Sequence, residues 1–107
     1  KLHFGKNTVS SPSVLAFRAS SEHFFDENLI WLMDVEFYAR LWKEYGDPII
    51  LPDTLIANRL HADQVSQKVD RSIQKRELDY VLRKSTSFTH ISGYLEYAKR
   101  RAKTFFP

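Results

Sequence analysis

Apolar and polar positions along the chain fall into a few phased stretches. Tyr38, Leu41, Trp42 and Tyr45 recur at i, i+3, i+4 and i+7, and Gly46-Asp47-Pro48 follows as a stop, which predicts a helix over Asp34–Tyr45. Upstream, Val14-Leu15-Ala16-Phe17-Arg18 after the Ser10-Ser11-Pro12-Ser13 turn predicts a short buried strand. Phe24-Phe25-Asp26-Glu27-Asn28 predicts a loop with aromatic anchors. Downstream, Ile49-Ile50-Leu51 and Thr54 to His61 predict two more strands, kept apart by the turn pair Pro52-Asp53. From Val69 the phase becomes helical again through Ile73, Arg76/Glu77 and Tyr80/Val81, with an expected stop near Lys84. Ser85-Thr86-Ser87 then offers cap residues, and Ile91, Tyr94, Leu95 and Ala98 predict a last helix running into Lys99-Arg100-Arg101 and Lys103. The predicted fold class is therefore mixed α/β, with two or three short strands and about three helices. The Gln64–Lys68 loop is its sharpest boundary, dividing residues 1–67 from a basic helical extension, 68–107. Strand edges and apolar surface left without sheet neighbours make self-association an expectation.

Composition narrows the classes. At 107 residues, 43% hydrophobic and 14% aromatic, with three Gly and four Pro, the chain has the make-up of a packed globular segment of one domain at most, not of a disordered or fibrous one. The absence of Cys removes disulfides, thiolate zinc sites and cysteine nucleophiles. No apolar run, Leu29-Ile30-Trp31-Leu32-Met33 included, approaches the roughly 20 residues a bilayer span needs, so neither a transmembrane helix nor a signal peptide is expected. The net charge of +3 conceals an asymmetry: residues 1–67 hold six Lys and Arg against nine Asp and Glu, and residues 68–107 hold ten against four. A chain that opens on Lys1 and ends on Phe105-Phe106-Pro107 is expected to be an excised fragment.

Candidate chemistry gathers at few positions. Asp34 follows an apolar run and stands at a helix start, a placement that suits a general base. Apolar walls would raise its pKa and the helix N-terminus would lower it, and the same placement also suits a plain N-cap or first-turn carboxylate. Glu36 lies on another face of that helix and is expected to be solvated or to act as a first-turn dipole partner. Arg59 and His61, two apart on a predicted strand, would leave one face together with Leu55 and Ala57, which suits a diphosphate or metal corner, while a single His at a strand end equally suits a structural or merely exposed role. His3, His23 and His90 share no ligand spacing with His61, which argues against a self-contained metal site. The basic run Lys99-Arg100-Arg101-Ala102-Lys103 before Phe105-Phe106 is either a solvated helix end or a dock for anionic lipid or nucleic acid. No P-loop, GxGxxG, GxSxG or HExxH pattern occurs.

Five ordered blocks carry a resemblance. They are Asn7 with Ser11-Pro12-Ser13, then Val14-Leu15-Ala16-Phe17-Arg18, then Phe25-Asp26-Glu27-Asn28-Leu29, then Trp31-Leu32-Met33-Asp34-Val35-Glu36-Phe37-Tyr38-Ala39-Arg40-Leu41, and last Asn58-Arg59-Leu60-His61 with Gln64-Val65-Ser66. In order and spacing they resemble the C-terminal half of a family 2 glycosyltransferase of the GT-A nucleotide-diphospho-sugar transferase fold, over residues 7–66. The resemblance implies part of a hexosyl-transferring enzyme of cell-surface polysaccharide biosynthesis, which moves a sugar from a nucleotide-sugar donor to a hydroxyl of a glycan or lipid-linked acceptor. Transfer would proceed with inversion and a divalent metal, Mg or Mn. It further implies Asp34 as the catalytic base, His61 as the contact to metal or donor diphosphate with Arg59 beside it, Ser11-Pro12-Ser13 as an acceptor-side loop and Trp31 as a sugar-facing aromatic. Met33 stands where many members carry an acidic residue. The family's nucleotide-binding half and its Asp-x-Asp motif would precede Lys1, so the chain on its own is expected to be inactive. The implied location is cytoplasmic, at or near the membrane surface. The competing assignment is a stand-alone binding module whose basic C-terminal helices dock on anionic membrane or, as the less favoured partner, nucleic acid.

Overall fold

A computed structural model describes residues 7–59, 63–64, 68–84, 98–99 and 102. Among these, two α-helices form the frame: α1, Met33–Tyr45, and α2, Arg71–Lys84. A short 3-10 turn covers Pro12–Val14. No strand occurs among the described residues, so the architecture is helical and the expected mixed α/β fold of GT-A type is corrected.

The correction has a physical reason. A strand is stable only as one member of a hydrogen-bonded pair, and apolar β-branched residues mark a chain that could pair without supplying the partner. Ile49-Ile50-Leu51 lies open to solvent, with Ile49 and Ile50 at 91% and 85% exposure, and Leu55 and Ile56 are exposed as well. Val14-Leu15-Ala16-Phe17-Arg18 likewise joins no ladder. The Pro12–Val14 turn consumes its first backbone donors, Val14 N–H to the Ser11 carbonyl at 3.2 Å and Leu15 N–H to the Pro12 carbonyl at 3.1 Å. The expected last helix and most of the Lys99–Lys103 basic run lie outside the described residues, as does His61. Ala98, Lys99 and Ala102 are helical.

The core is built where α2 crosses the start of α1. Leu78, Val81 and Leu82 of α2 pack with Leu29, Leu32, Val35, Phe37, Tyr38 and Leu41, all buried. Tyr38 and Leu41 are buried and Trp42 packs against them, as the periodicity suggests, but the buried face ends before the exposed Tyr45 and begins earlier, at Val35 and Phe37. Gly46, at φ 81°, ends α1 with its N–H on the Trp42 carbonyl at 2.9 Å, in a backbone region that favours glycine. Of the two aromatics expected to anchor the loop before α1, Phe25 sets its ring 4.7 Å from that of Phe37 and Phe24 is exposed; Phe17, from the expected strand, lies 5.2 Å from Phe37.

Two buried carboxylates hold the helices in register. Glu77, 1% exposed, reaches from α2 to the chain entering α1. Its Oε1 accepts the Ile30 N–H at 2.8 Å, and its Oε2 accepts those of Trp31 at 2.8 Å and Leu32 at 2.9 Å. Leu32 occupies the N-cap position and offers no side-chain acceptor; Glu77 takes the N–H groups of Leu32 and the two residues before it, and Asp34 Oδ1 takes the Val35 N–H of the first turn. Glu36, 4% exposed, lies in the first turn of α1, one of the two placements expected for it, but is buried and not solvated. Its carboxylate lies 2.9 Å from Arg40 Nε, one turn on, and 2.9 Å from Lys84 Nζ at the end of α2. Arg40 also donates to the Phe24 carbonyl.

Lys84 extends the bridge to Asp26 at 2.6 Å, and Tyr80 donates to the same Asp26 oxygen at 2.9 Å. Burial alone would raise the Asp26 pKa, but the donors Lys84, Asn28 and Tyr80 outweigh it and hold the carboxyl well below the usual carboxylate range. For Lys84, burial alone would lower the pKa, and the bonds to Asp26 and Glu36 outweigh that and raise it. The signs fix two limbs. The depressed Asp26 stabilises the fold above its unfolded pKa of about 3.9 and loses that contribution as pH falls through the folded value. The raised Lys84 contributes below about 10.4 and loses it as pH rises through its folded value. Lys84→Met is therefore expected to lower stability at pH 7 and to flatten the acid limb below about pH 4, measured by urea unfolding across pH. Glu77→Gln, which sets an amide against backbone N–H donors, is expected to cost about 2–3 kcal/mol and to lower the unfolding temperature by roughly 8 °C or more. A change within about 0.5 kcal/mol would show that the three bonds do not carry the helix contact.

Candidate functional site

Asp34 is the second residue of α1, placed there by the Glu77 clamp on Ile30, Trp31 and Leu32 immediately before it. Its Oδ1 accepts the Val35 N–H at 2.7 Å and its Oδ2 accepts the side-chain amide of Asn7 at 3.1 Å. The carboxylate is half-buried. The contest between burial and the N–H donors at the helix start is settled in favour of burial, which pushes the Asp34 pKa up against the opposing backbone bonds from Val35 and from Asp34 itself. One turn on, burial and then the Asp34 charge push the Tyr38 hydroxyl up to about 12, so it stays a donor at neutral pH.

Asn7 and Tyr38 tie Asp34 to the loop that leads into the Ser11-Pro12-Ser13 turn. Asn7 Oδ1 accepts the N–H groups of Val9 at 2.9 Å and Ser10 at 2.8 Å, and Asn7 Nδ2 donates to the Ser10 carbonyl at 2.8 Å. Tyr38 donates to that same carbonyl at 3.3 Å. These bonds enclose Ser10, whose φ of 108° is a conformation costing a non-glycine residue about 1–3 kcal/mol. Beyond it, Ser11 Oγ and Ser13 Oγ lie 2.8 Å apart and both donate to Asn58 Oδ1, at 3.0 Å and 3.4 Å. Pro12 opens the 3-10 turn that sets the two hydroxyls side by side.

The structure thus joins Asp34, through Asn7 and Ser10, to Ser11, Ser13 and Asn58, and so to Arg59, the next residue along. Arg59 is exposed, and its carbonyl accepts from Gln64 at 3.2 Å. His61 lies outside the described residues. Trp31 packs against the core with its N–H on Glu77, and no described contact brings it to Asp34. Asn7, Tyr38 and Asn58 each sit within the sequence blocks of interest, yet their bonds were not foreseen. An asparagine three residues before a serine is a turn signal that could have pointed to Asn7. Tyr38 was read from its spacing as core, and its hydroxyl gives no sequence signal.

No three His, Asp or Glu side chains among the described residues converge on a point that could hold a metal. A divalent ion would have to draw on His61 and on groups outside the described residues, so no chemical step is assigned through one. No helix among the described residues is long and apolar enough to cross a membrane. Comparison with protein families, with characterised proteins and with solved structures finds no match to this chain.

The raised Asp34 pKa has a consequence for stability. A carboxyl whose folded pKa exceeds its unfolded one favours the fold below the unfolded value, and that contribution is lost as pH rises through the folded value. Ionising Asp34 is therefore a cost to the fold. Asp34→Asn is expected to unfold at or above the wild-type temperature at pH 7, measured by differential scanning calorimetry. A fall of more than about 3 °C, on the order of 0.5 kcal/mol or more, would mark Asp34 as a structural carboxylate.

Proposed function

We propose that this chain carries the acceptor side of a glycosyltransferase resembling family 2, with Asp34 as the general base. The observation that supports it is the state of the Asp34 carboxylate: half-buried, with a raised pKa, and facing N–H donors rather than a cation. A carboxylate paired with Arg or Lys is a weak base, as with Asp26 here, whereas a desolvated one held by dipoles keeps its basicity.

In the proposed step an acceptor hydroxyl attacks the anomeric carbon of the donor sugar. The new C–O bond forms as the bond to the diphosphate oxygen breaks, with inversion, and the hydroxyl proton passes to Asp34. Asp34 Oδ2 has one lone pair engaged by Asn7 and can accept one further bond. The Ser11 and Ser13 hydroxyls and the Asn58 amide supply short polar groups of the kind that orient a sugar. Arg59, exposed next to Asn58, is the cation available to the donor diphosphate, with His61 two residues on.

The test is Asp34→Asn in the protein as encoded in its native reading frame, assayed with UDP- and GDP-hexoses and Mn2+. Transfer to acceptor is expected to fall by about 100-fold or more while donor binding stays within about threefold. Transfer at the wild-type rate would remove Asp34 from the role of base.

A further inference from the structure

Asn7 is held in a way that a loop residue of structural value alone does not need. A side-chain amide has two acceptor lone pairs and two N–H donors, and all four are used here. Oδ1 takes the Val9 and Ser10 N–H groups, and Nδ2 gives one bond to the Ser10 carbonyl and one to Asp34 Oδ2. The orientation is fixed by this pattern, because turning the amide over would set Oδ1 against the Asp34 carboxylate and leave two backbone donors facing an NH2 group. Three of the four bonds close the loop on itself, and the fourth spans 27 positions to the start of α1.

The fourth bond has a defined chemical effect. An amide N–H stabilises the ionised carboxylate and not the protonated acid, so it opposes the burial that raises Asp34. Val35 holds Oδ1 from the helix side and Asn7 holds Oδ2 from the loop side, which fixes the plane of the carboxylate as well as its charge. Tyr38, the titratable side chain coupled to Asp34 among the described residues, stays protonated at neutral pH and acts on the loop through the Ser10 carbonyl. We infer that Asn7 is a positioning residue for Asp34: it holds the plane of the base against the loop at Ser10 that leads into Ser11-Pro12-Ser13 and favours its charged form. The inference rests on the assignment of Asp34 as base made above.

Two variants separate this role from loop stability. Asn7→Ser retains an oxygen for the Val9 and Ser10 N–H groups but cannot reach Asp34, and Asn7→Asp retains that oxygen and sets a second negative charge against Asp34. In the 107-residue chain labelled with 13C at aspartate Cγ, with the Asp34 signal identified by its loss in Asp34→Asn, the titration midpoint is read by NMR. It is expected to rise by about 0.5 pH units in Asn7→Ser and by about 1 unit or more, as one of two coupled steps, in Asn7→Asp. Midpoints within about 0.2 units of wild type in both folded variants would overturn the inference. Loss of folding in both would overturn it too, by showing Asn7 to be a residue of the fold. Neither result bears on whether Asp34 is the base, because the titration needs no substrate. Conversely, transfer surviving Asp34→Asn would end that assignment even with both midpoints shifted.

Discussion

The carboxylate of Glu77 is the interaction on which the described structure depends. It is buried, it belongs to α2, and its bonds are to the three backbone N–H groups that precede α1. A helix start leaves N–H groups without intrahelical partners, and burying them unpaired costs about 1–3 kcal/mol each. Leu32 at the N-cap satisfies none of them with its side chain. The apolar contacts of Leu78, Val81 and Leu82 with Leu32 and Val35 bring the helices together without fixing their register, since dispersion and burial are not directional. Three charge-assisted bonds to fixed backbone atoms do fix it. Asp34, two residues beyond the clamp, inherits its position from them.

Four acidic side chains near this helix contact show how partners set the role of a carboxylate. Asp26 and Glu36 meet cations, Lys84 for both and Arg40 for Glu36, and so brace the structure. Glu77 meets backbone dipoles in a dry contact and acts as a cap. Asp34 meets backbone N–H groups and one amide in a half-buried place, and burial raises its pKa, whereas the donors on Asp26 lower that of Asp26. The first three are satisfied within the fold. Asp34 retains capacity for a further partner, which is the property a base requires.

The helices were legible in the sequence because their apolar phase and the Gly46-Asp47-Pro48 stop are local signals. The strands were not, because β-branched runs such as Ile49-Ile50-Leu51 report a capacity for pairing, and a partner is a property of the whole arrangement. Glu77 shared a phase position with Arg76 in the helical pattern. Periodicity alone does not tell an acid that turns inward to cap another helix from one that faces water. Asp34 stood out from its position after an apolar run. The sign of its pKa shift, the link through Asn7 and the capture of Ser11 and Ser13 by Asn58 rest on contacts spanning 27 to 47 positions, which no local pattern encodes.

The central claim is that Glu77 fixes the entry to α1 and with it the place of Asp34. Amide hydrogen exchange at Ile30, Trp31 and Leu32 tests it directly, because Ile30 is an exposed residue whose N–H would exchange freely but for the Glu77 carboxylate. All three amides are expected to exchange as slowly as those of Val35 to Leu41 in the core of α1, and Ile30 and Trp31 to lose this protection in Glu77→Gln before the helix amides do. Exchange of Ile30 and Trp31 at the rate of an open loop in the wild-type chain would contradict it.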